Sequence, residues 1–363
     1  MGILGSMNQI LLKANDLDGY LDSNDRKFIE QMSILYREAM NCYTILNSIG
    51  NEEKKKQHEV ILIRLFNEMG RIMQEICGSE KRLHVYSFES PQESHPEASR
   101  VIAKLRDLQT ENGEFVYYIQ RSYEMLFKLA YGGTKSSNKN YLVVKTPVSD
   151  PVRNFAVHKI TNIDDKIENT YMCVMLRGAL LPSMIMSKEI QEYSSHGYVT
   201  PFGLFKIQRN DAKKEHDMEY ILDLDRSYFD LDNLDGKDLI FADPMNATGG
   251  SLVTVMNYLT IRGIKPRSIQ IFNVIAALKG ALRVVRALEN CHLYTLWMDP
   301  MLNESAYIMP GLGDAGDRIN GKDHETPRDI IQLMADYGSN IARLYRAQLR
   351  EIETTVLSTR SKK

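Results

Sequence analysis

The stretch 238–251, DLIFADPMNATGGS, constrains this chain more than any other. Leu239, Ile240, Phe241 and Ala242 form a short apolar run that suits a buried strand. Asp243-Pro244 ends it, because proline has no N–H to give a central ladder. Met245, Asn246, Ala247, Thr248, Gly249, Gly250 and Ser251 follow, and then Leu252, Val253, Val255, Met256 and Leu259 recur at helical spacing. A strand, a small-residue loop and a helix start together make a phosphate cradle. Glycines let the backbone approach an anion, and the helix N-terminus turns free N–H groups toward it. Thr248 and Ser251 supply two more donors. The acid at the strand tip, Asp243, suits a second role. Its carboxylate can accept hydrogen bonds from sugar hydroxyls while the loop holds the phosphate.

The same alternation extends to both sides. Residues 141–148 read as a strand, and so do Cys173, Val174, Met175 and Leu176. Arg177-Gly178-Ala179 follows at that strand's C-terminal end, ahead of a helical pattern with Pro182 in its first turn. Residues 268–277 are a strand, 281–288 a helix and 292–297 a strand. Alternating β and α predicts an α/β fold with a mostly parallel sheet, helices on both faces and ligands at the C-terminal ends of the strands. Arg177, Arg209 and Asp243 all fall at such ends, so one crevice can hold all three.

Residues 8–80 read as mostly helix. Phe28, Ile29, Met32, Leu35, Tyr36, Ala39, Met40 and Tyr43 share one face, and Val60 to Ile76 continue in a second helix after Gly50-Asn51. This predicts an antiparallel helical hairpin whose apolar faces pack on the main domain or on another subunit. Residues 83–88 alternate like a strand. The expected division is a helical N-terminal extension over 1–81, a catalytic domain over 82–325 and a helical tail over 326–363. Thr326-Pro327 opens a long helix in that tail, carrying Ile330, Ile331, Met334, Ile341, Leu344, Tyr345 and Ile352.

With 43% hydrophobic and 25% charged residues and a net charge of −2, nothing points to nucleic acid or a membrane surface. No apolar run is long enough to span a bilayer. Four cysteines without CxxC spacing read as reduced core thiols of a cytoplasmic protein. The opening MGILGSM formally fits a myristoylation pattern, and reads better as an expression remnant ahead of Met7.

Residues 306–321, AYIMPGLGDAGDRING, hold a second motif. Gly311, Gly313 and Gly316 formally spell GxGxxG. A dinucleotide site needs a strand before and a helix after. Pro310 interrupts any strand, and Asp317 to Gly321 do not start an amphipathic helix, so that reading is rejected.

The loop spelling DPM-x-ATGGS resembles the 5-phosphoribosyl-1-pyrophosphate (PRPP) loop of type I phosphoribosyltransferases, and of uracil phosphoribosyltransferases in particular. The 306–321 string is similar to the uracil-binding segment of the same family. Weaker matches stand in the same order: His95-Pro96, Leu105-Arg106-Asp107, Glu114-Phe115, then Arg177-Gly178-Ala179, and Phe205 to Asn210. His95, before a proline, is taken as structural. The resemblance covers roughly residues 82–322.

It implies the type I phosphoribosyltransferase fold and the reaction of uracil with PRPP to give UMP and pyrophosphate. Magnesium would arrive with PRPP rather than on protein ligands. Asp243 would hold ribose hydroxyls, with Pro244, Met245 and Asn246 leading into Ala247–Ser251 around the 5′-phosphate. Arg177 and Arg209 would stabilise the departing pyrophosphate. Ile308, Gly313, Asp314 and Ala315 would read uracil's edge, Asp314 also touching the PRPP side. The family's dimers and tetramers, and the GTP activation of some members, are carried over as expectations. Asn246 stands where the family has an apolar residue, and 210–230 departs from the hairpin that covers the site in relatives. That departure, with the added helices, leaves two alternatives: transfer to another nucleobase, or a non-catalytic sensor of PRPP or nucleotide.

Overall fold

The computed structural model describes residues 9–48, 50, 52–90, 95–133, 139–321 and 346–362. A central sheet organises the chain. Its strands are β1 (Gln9–Lys13), β2 (Leu83–Val85), β5 (Thr170–Leu176), β6 (Phe202–Arg209), β7 (Glu219–Tyr228), β8 (Asp238–Ala242), β10 (Ser268–Ala277) and β11 (Cys291–Asp299). They lie in the order β1-β7-β6-β5-β8-β10-β11-β2, with the two-residue β9 (Met245–Asn246) also paired to β10. The pairs from β6 through β2 are parallel, while β7 runs antiparallel to both β6 and β1. Every residue of β8 is buried: Leu239–Ala242 as an apolar run in the middle of a parallel sheet requires, and Asp238 paired with Arg267.

Three crossovers define the working end. From β5 the chain returns through α8 (Leu180–Tyr193) to β6 on one side. From β8 it passes through α9 (Gly250–Ile261) to β10, and through α10 (Leu278–Ala287) to β11, on the other. Right-handed crossovers that step in opposite directions put α8 on one face and α9 and α10 on the other. The connections part between β5 and β8, opening a crevice beyond their C-terminal ends. The long α6 (Asn112–Tyr131) packs beside α8, following α5 (His95–Arg106) and the single turn α4 (Tyr86–Glu89).

The helical hairpin expected in the N-terminal region is present as α2 (Ser23–Ser48) and α3 (Glu52–Ser79), with Met32, Tyr36, Met69 and Ile72 buried. It is preceded by a strand and a short α1 (Ala14–Asp18) rather than by more helix. QILLK is ambiguous by periodicity. The open edge of β7 decides the matter, pairing Gln9 with Asp223 and so on to Lys13 with Glu219. Residues 83–88 divide into β2 and α4. The strand expected at 141–148 is β3 (Lys139–Lys145). Its partner β4 (Phe155–Thr161), which the sequence reading missed, makes a separate hairpin exposing Tyr141, Val143, Phe155 and Val157. The single turn α7 (Asp164–Ile167) leads from it to β5.

Of the C-terminal helix, α12 (Arg346–Lys362) is described, with Ile352 and Val356 buried against β6, β7 and α8. The residues expected to begin it at 326–345, like the MGILGSM opening, lie outside the described residues. The four cysteines are free and buried, and none of the described helices is long and apolar enough to cross a membrane.

Candidate active site

A crevice of about 450 Å³ lies where the crossovers part. The end of β8 and the 243–251 loop form its floor, the end of β6 one wall and residues 306–316 the other. Every residue assigned from the sequence lines it except Arg177 and Gly250.

The 243–251 loop owes its shape to two glycines and to what packs behind it. Gly249 sits at φ 78°, in the left-handed region that a side chain disfavours. A Cβ on Gly250 would lie 2.1 Å from the ring of Tyr220 on β7, so α9 can start only with a glycine pressed on that ring. Gly250 therefore acts from behind the crevice. From below, Gly280 of α10 meets the loop so closely that an added Cβ would be 2.1 Å from the Ala247 carbonyl oxygen.

Asp243 is fixed through its backbone. Its N–H donates to the Phe272 carbonyl at 3.0 Å, and its own carbonyl accepts from Asn273 Nδ2 at 2.8 Å. The carboxyl faces the crevice but is otherwise ringed by protein. That loss of hydration pushes its pKa up to about 7; the charge of Asp314 adds to the rise and the Met245 N–H opposes it. Asn273, 1% exposed, was missed in the sequence. The available signal was one amide inside the apolar run SIQIFNVIAA, since a buried polar group must find a partner.

The two arginines differ. Arg209, at the end of β6, faces the crevice with its guanidinium 5.5 Å from the centre of the Tyr307 ring and 3.5 Å from Asp211. Tyr307 was not anticipated from the sequence either. Arg177 lies beyond the cis Leu176–Arg177 peptide and turns aside. Its Nη2 donates to Asp317 at 2.7 Å and its Nη1 to the Gly321 carbonyl at 2.7 Å. Its neighbours Leu176 and Gly178 line the crevice instead.

The wall at 306–316 hangs on a second set of contacts. The short strands β12 (Met301–Leu302) and β13 (Ile308–Met309) pair antiparallel. Then α11 (Ala315–Asn320) begins with Asp314 accepting from the Asp317 N–H at 2.9 Å. A helix does start here, contrary to the expectation from sequence; the side-chain cap at Asp314 and burial of Ala315 and Ile319 stabilise its six residues. Arg318 donates to the carbonyls of Leu105, Leu312, Asp107 and Thr110 and lies 4.1 Å over the Phe115 ring. The Leu-Arg-Asp and Glu-Phe motifs thus buttress this wall without entering the crevice.

Arg106 does the same through a carboxylate. It binds Asp299, 1% exposed, whose other oxygen accepts the Gly311 N–H at 3.1 Å. Burial pushes the Asp299 pKa up, and Arg106 holds it back. Arg106→Leu leaves that carboxylate buried and unpaired, so it is expected to cost about 3 kcal/mol at pH 8. Because burial raises the Asp299 pKa, the cost shrinks as the pH is lowered, and urea unfolding over a descending pH series measures this. A loss that does not change with pH would show that Asp299 does not carry the effect.

A family model described as uracil phosphoribosyltransferase matches residues 92–321. The uracil phosphoribosyltransferase of Thermococcus gammatolerans is 28% identical over 245 residues, covering 67% of this chain and 96% of that protein. That of Clostridium beijerinckii is 29% identical over 228 residues, covering 63% of this chain and 96% of that protein. A solved protein of Aquifex aeolicus shares 22% identity at a TM-score of 0.44, covering 63% of this chain and 96% of its own.

Proposed function

The chain belongs to the uracil phosphoribosyltransferase family, with the type I phosphoribosyltransferase fold, and on that premise we propose that it converts uracil and PRPP to UMP and pyrophosphate. The observation that carries this is one crevice joining the 247–251 phosphate loop to the 308–315 segment across Asp243.

In this reading the 5′-phosphate sits on the loop, and the Asp243 carboxylate accepts from the ribose hydroxyls. PRPP arrives as its magnesium complex. The ring develops positive charge as the C1′–O bond to pyrophosphate breaks and the C1′–N1 bond to uracil forms, the N1 proton leaving with the departing pyrophosphate. Catalysis is then positioning and charge management, with no protein nucleophile. Arg209 already faces the crevice and meets the departing pyrophosphate. Arg177 reaches it only by exchanging Asp317 for a pyrophosphate oxygen. Backbone groups at Ile308 and Gly313–Ala315 match uracil's alternating carbonyl and N–H edge, so cytosine would set its amino group against a donor.

The test is product formation from labelled uracil, PRPP and magnesium, with cytosine, orotate, hypoxanthine and xanthine in parallel. UMP is expected, with a preference over cytosine of at least about 1,000-fold in kcat/KM. A different favoured base would move the assignment to another phosphoribosyl transfer. PRPP binding without product from any base would make the chain a sensor.

A further inference from the structure

Helix α10 lies under the phosphate loop and carries Lys279, Arg283 and Arg286. Arg283 is 0% exposed. A guanidinium in that position is strongly destabilising unless carboxylates meet it. Its two partners come from far apart in the chain. Asp18 Oδ1, in the N-terminal extension, accepts from Nε at 2.9 Å and from Nη2 at 2.6 Å. Glu215, in the connection between β6 and β7, lies 2.9 Å from Nη1 but is not aligned for a hydrogen bond. Lys279, one turn earlier, also reaches Glu215 at 2.9 Å and Asp18 at 3.8 Å. Two cations and two acids therefore close one neutral cluster between three segments.

That cluster backs directly on the loop. A Cβ on Gly249 would lie 2.7 Å from Val284 Cγ2 and 3.8 Å from Arg283 Cβ, and Gly280 is wedged under Ala247. Displacing this face of α10 therefore displaces the loop. The 210–218 connection is held from the other side as well. The Met218 carbonyl accepts the Ala14 N–H at 2.9 Å, and the Glu215 N–H donates to the Glu304 carbonyl at 2.7 Å. We propose that Arg283 is a positioning residue for PRPP: the extension through Asp18, and the 210–218 connection through Glu215, jointly hold the phosphate loop in its binding shape.

A simpler account is that the cluster only fastens the extension. The neighbouring pair separates the two. Arg286 binds Asp25 of α2 through Nε at 2.9 Å and Nη2 at 3.0 Å, fastening the same extension to the same helix without touching Arg283. The uracil wall, hung on Arg106 and Arg318, is an internal control.

The kinetic arm rests on the phosphoribosyl-transfer reading. In the full chain, Asp18→Asn and Glu215→Gln are each expected to raise KM for PRPP about fivefold, with KM for uracil and kcat within about twofold. Asp25→Asn is expected to lower the Tm comparably and to leave KM for PRPP unchanged. Equal KM changes in Asp18→Asn and Asp25→Asn, or PRPP and uracil moving together, would overturn the proposal.

Hydrogen exchange supplies an arm that needs no turnover. Amides of 247–251 are expected to exchange about tenfold faster in Asp18→Asn and Glu215→Gln than in the parent or Asp25→Asn. Acceleration confined to 14–25 overturns the proposal even if the chain is active. The expected pattern in a chain that forms no product keeps the positioning role and removes only the reaction. Should Asp18→Asn fail to fold, Glu215→Gln decides from the other side.

Discussion

Replacing Asp243 by asparagine is expected to lower kcat/KM for PRPP by about 100-fold or more at pH 8 while making the protein more stable there, not less. Backbone hydrogen bonds to Phe272 and Asn273 hold this position from both sides, so the substitution changes the side chain's chemistry and not its place. The activity loss follows from removing the charged acceptor proposed for the ribose hydroxyls. The stability gain follows from the carboxyl's pKa, raised by burial to about 7. Between the unfolded value near 4 and that folded value, the native state binds more protons than the unfolded one. Parent stability therefore falls as pH rises through this window, and the destabilising contribution is complete above about 7. Asparagine removes that dependence. Thermal unfolding at pH 5 and pH 8 should show the two proteins separating much more at the higher pH. In the same comparison, parent kcat/KM for PRPP should rise with pH through about 7, with that step absent from the variant. Subtracting one profile from the other cancels the ionisation of PRPP itself. Unchanged turnover in Asp243→Asn would sink the site assignment.

A single methyl group at Gly280 is expected to be nearly as damaging. In Gly280→Ala the new carbon would sit 2.1 Å from the Ala247 carbonyl oxygen and 2.7 Å from its carbon. Neither atom is the end of a flexible side chain, so either α10 or the phosphate loop must move. Overpacking of this kind costs about 1–3 kcal/mol, and here the displaced atoms are those proposed to cradle the 5′-phosphate. PRPP affinity should fall at least about tenfold, with a clear loss of Tm. Gly70→Ala is the matched control. Gly70 lies inside α3 with nothing within 4 Å of the added carbon, so its replacement should stabilise by about 0.5–1 kcal/mol. If both variants bind PRPP like the parent, the contact between α10 and the loop does not shape the site.

The parts legible in the sequence were those whose physics is local. The 238–251 stretch announced its strand, loop and helix because burial, proline and glycine act on neighbouring residues. The strands expected at 268–277 and 292–297 followed from apolar runs between turn residues, the second extending to Cys291–Asp299 in the fold. What escaped depends on partners far along the chain. Gln9–Lys13 becomes a strand because β7 offers an edge. Arg177 stands at the expected strand end, yet its guanidinium is held by Asp317 and Gly321, across the crevice wall. Asn273 gains its role only from the Asp243 carbonyl one strand away. The 210–230 segment looked like a departure without a pattern. Its order comes from β1 beside β7 and from the buried arginine of α10.

The Arg318 clasp has a consequence for biosynthesis. Its partner carbonyl at Leu105 precedes it by 213 residues. Residues 105–112 leave the ribosome early and wait for most of the chain to be made before Arg318 arrives to bind them. Contacts this distant in sequence form late, after the closure entropy of the intervening chain has been overcome. A nascent chain halted before Arg318 can carry a finished 243–251 loop but not the opposite wall. The 306–316 wall is thus the last part of the crevice to mature, so an unfinished polypeptide can present the 243–251 loop before the wall that faces it exists.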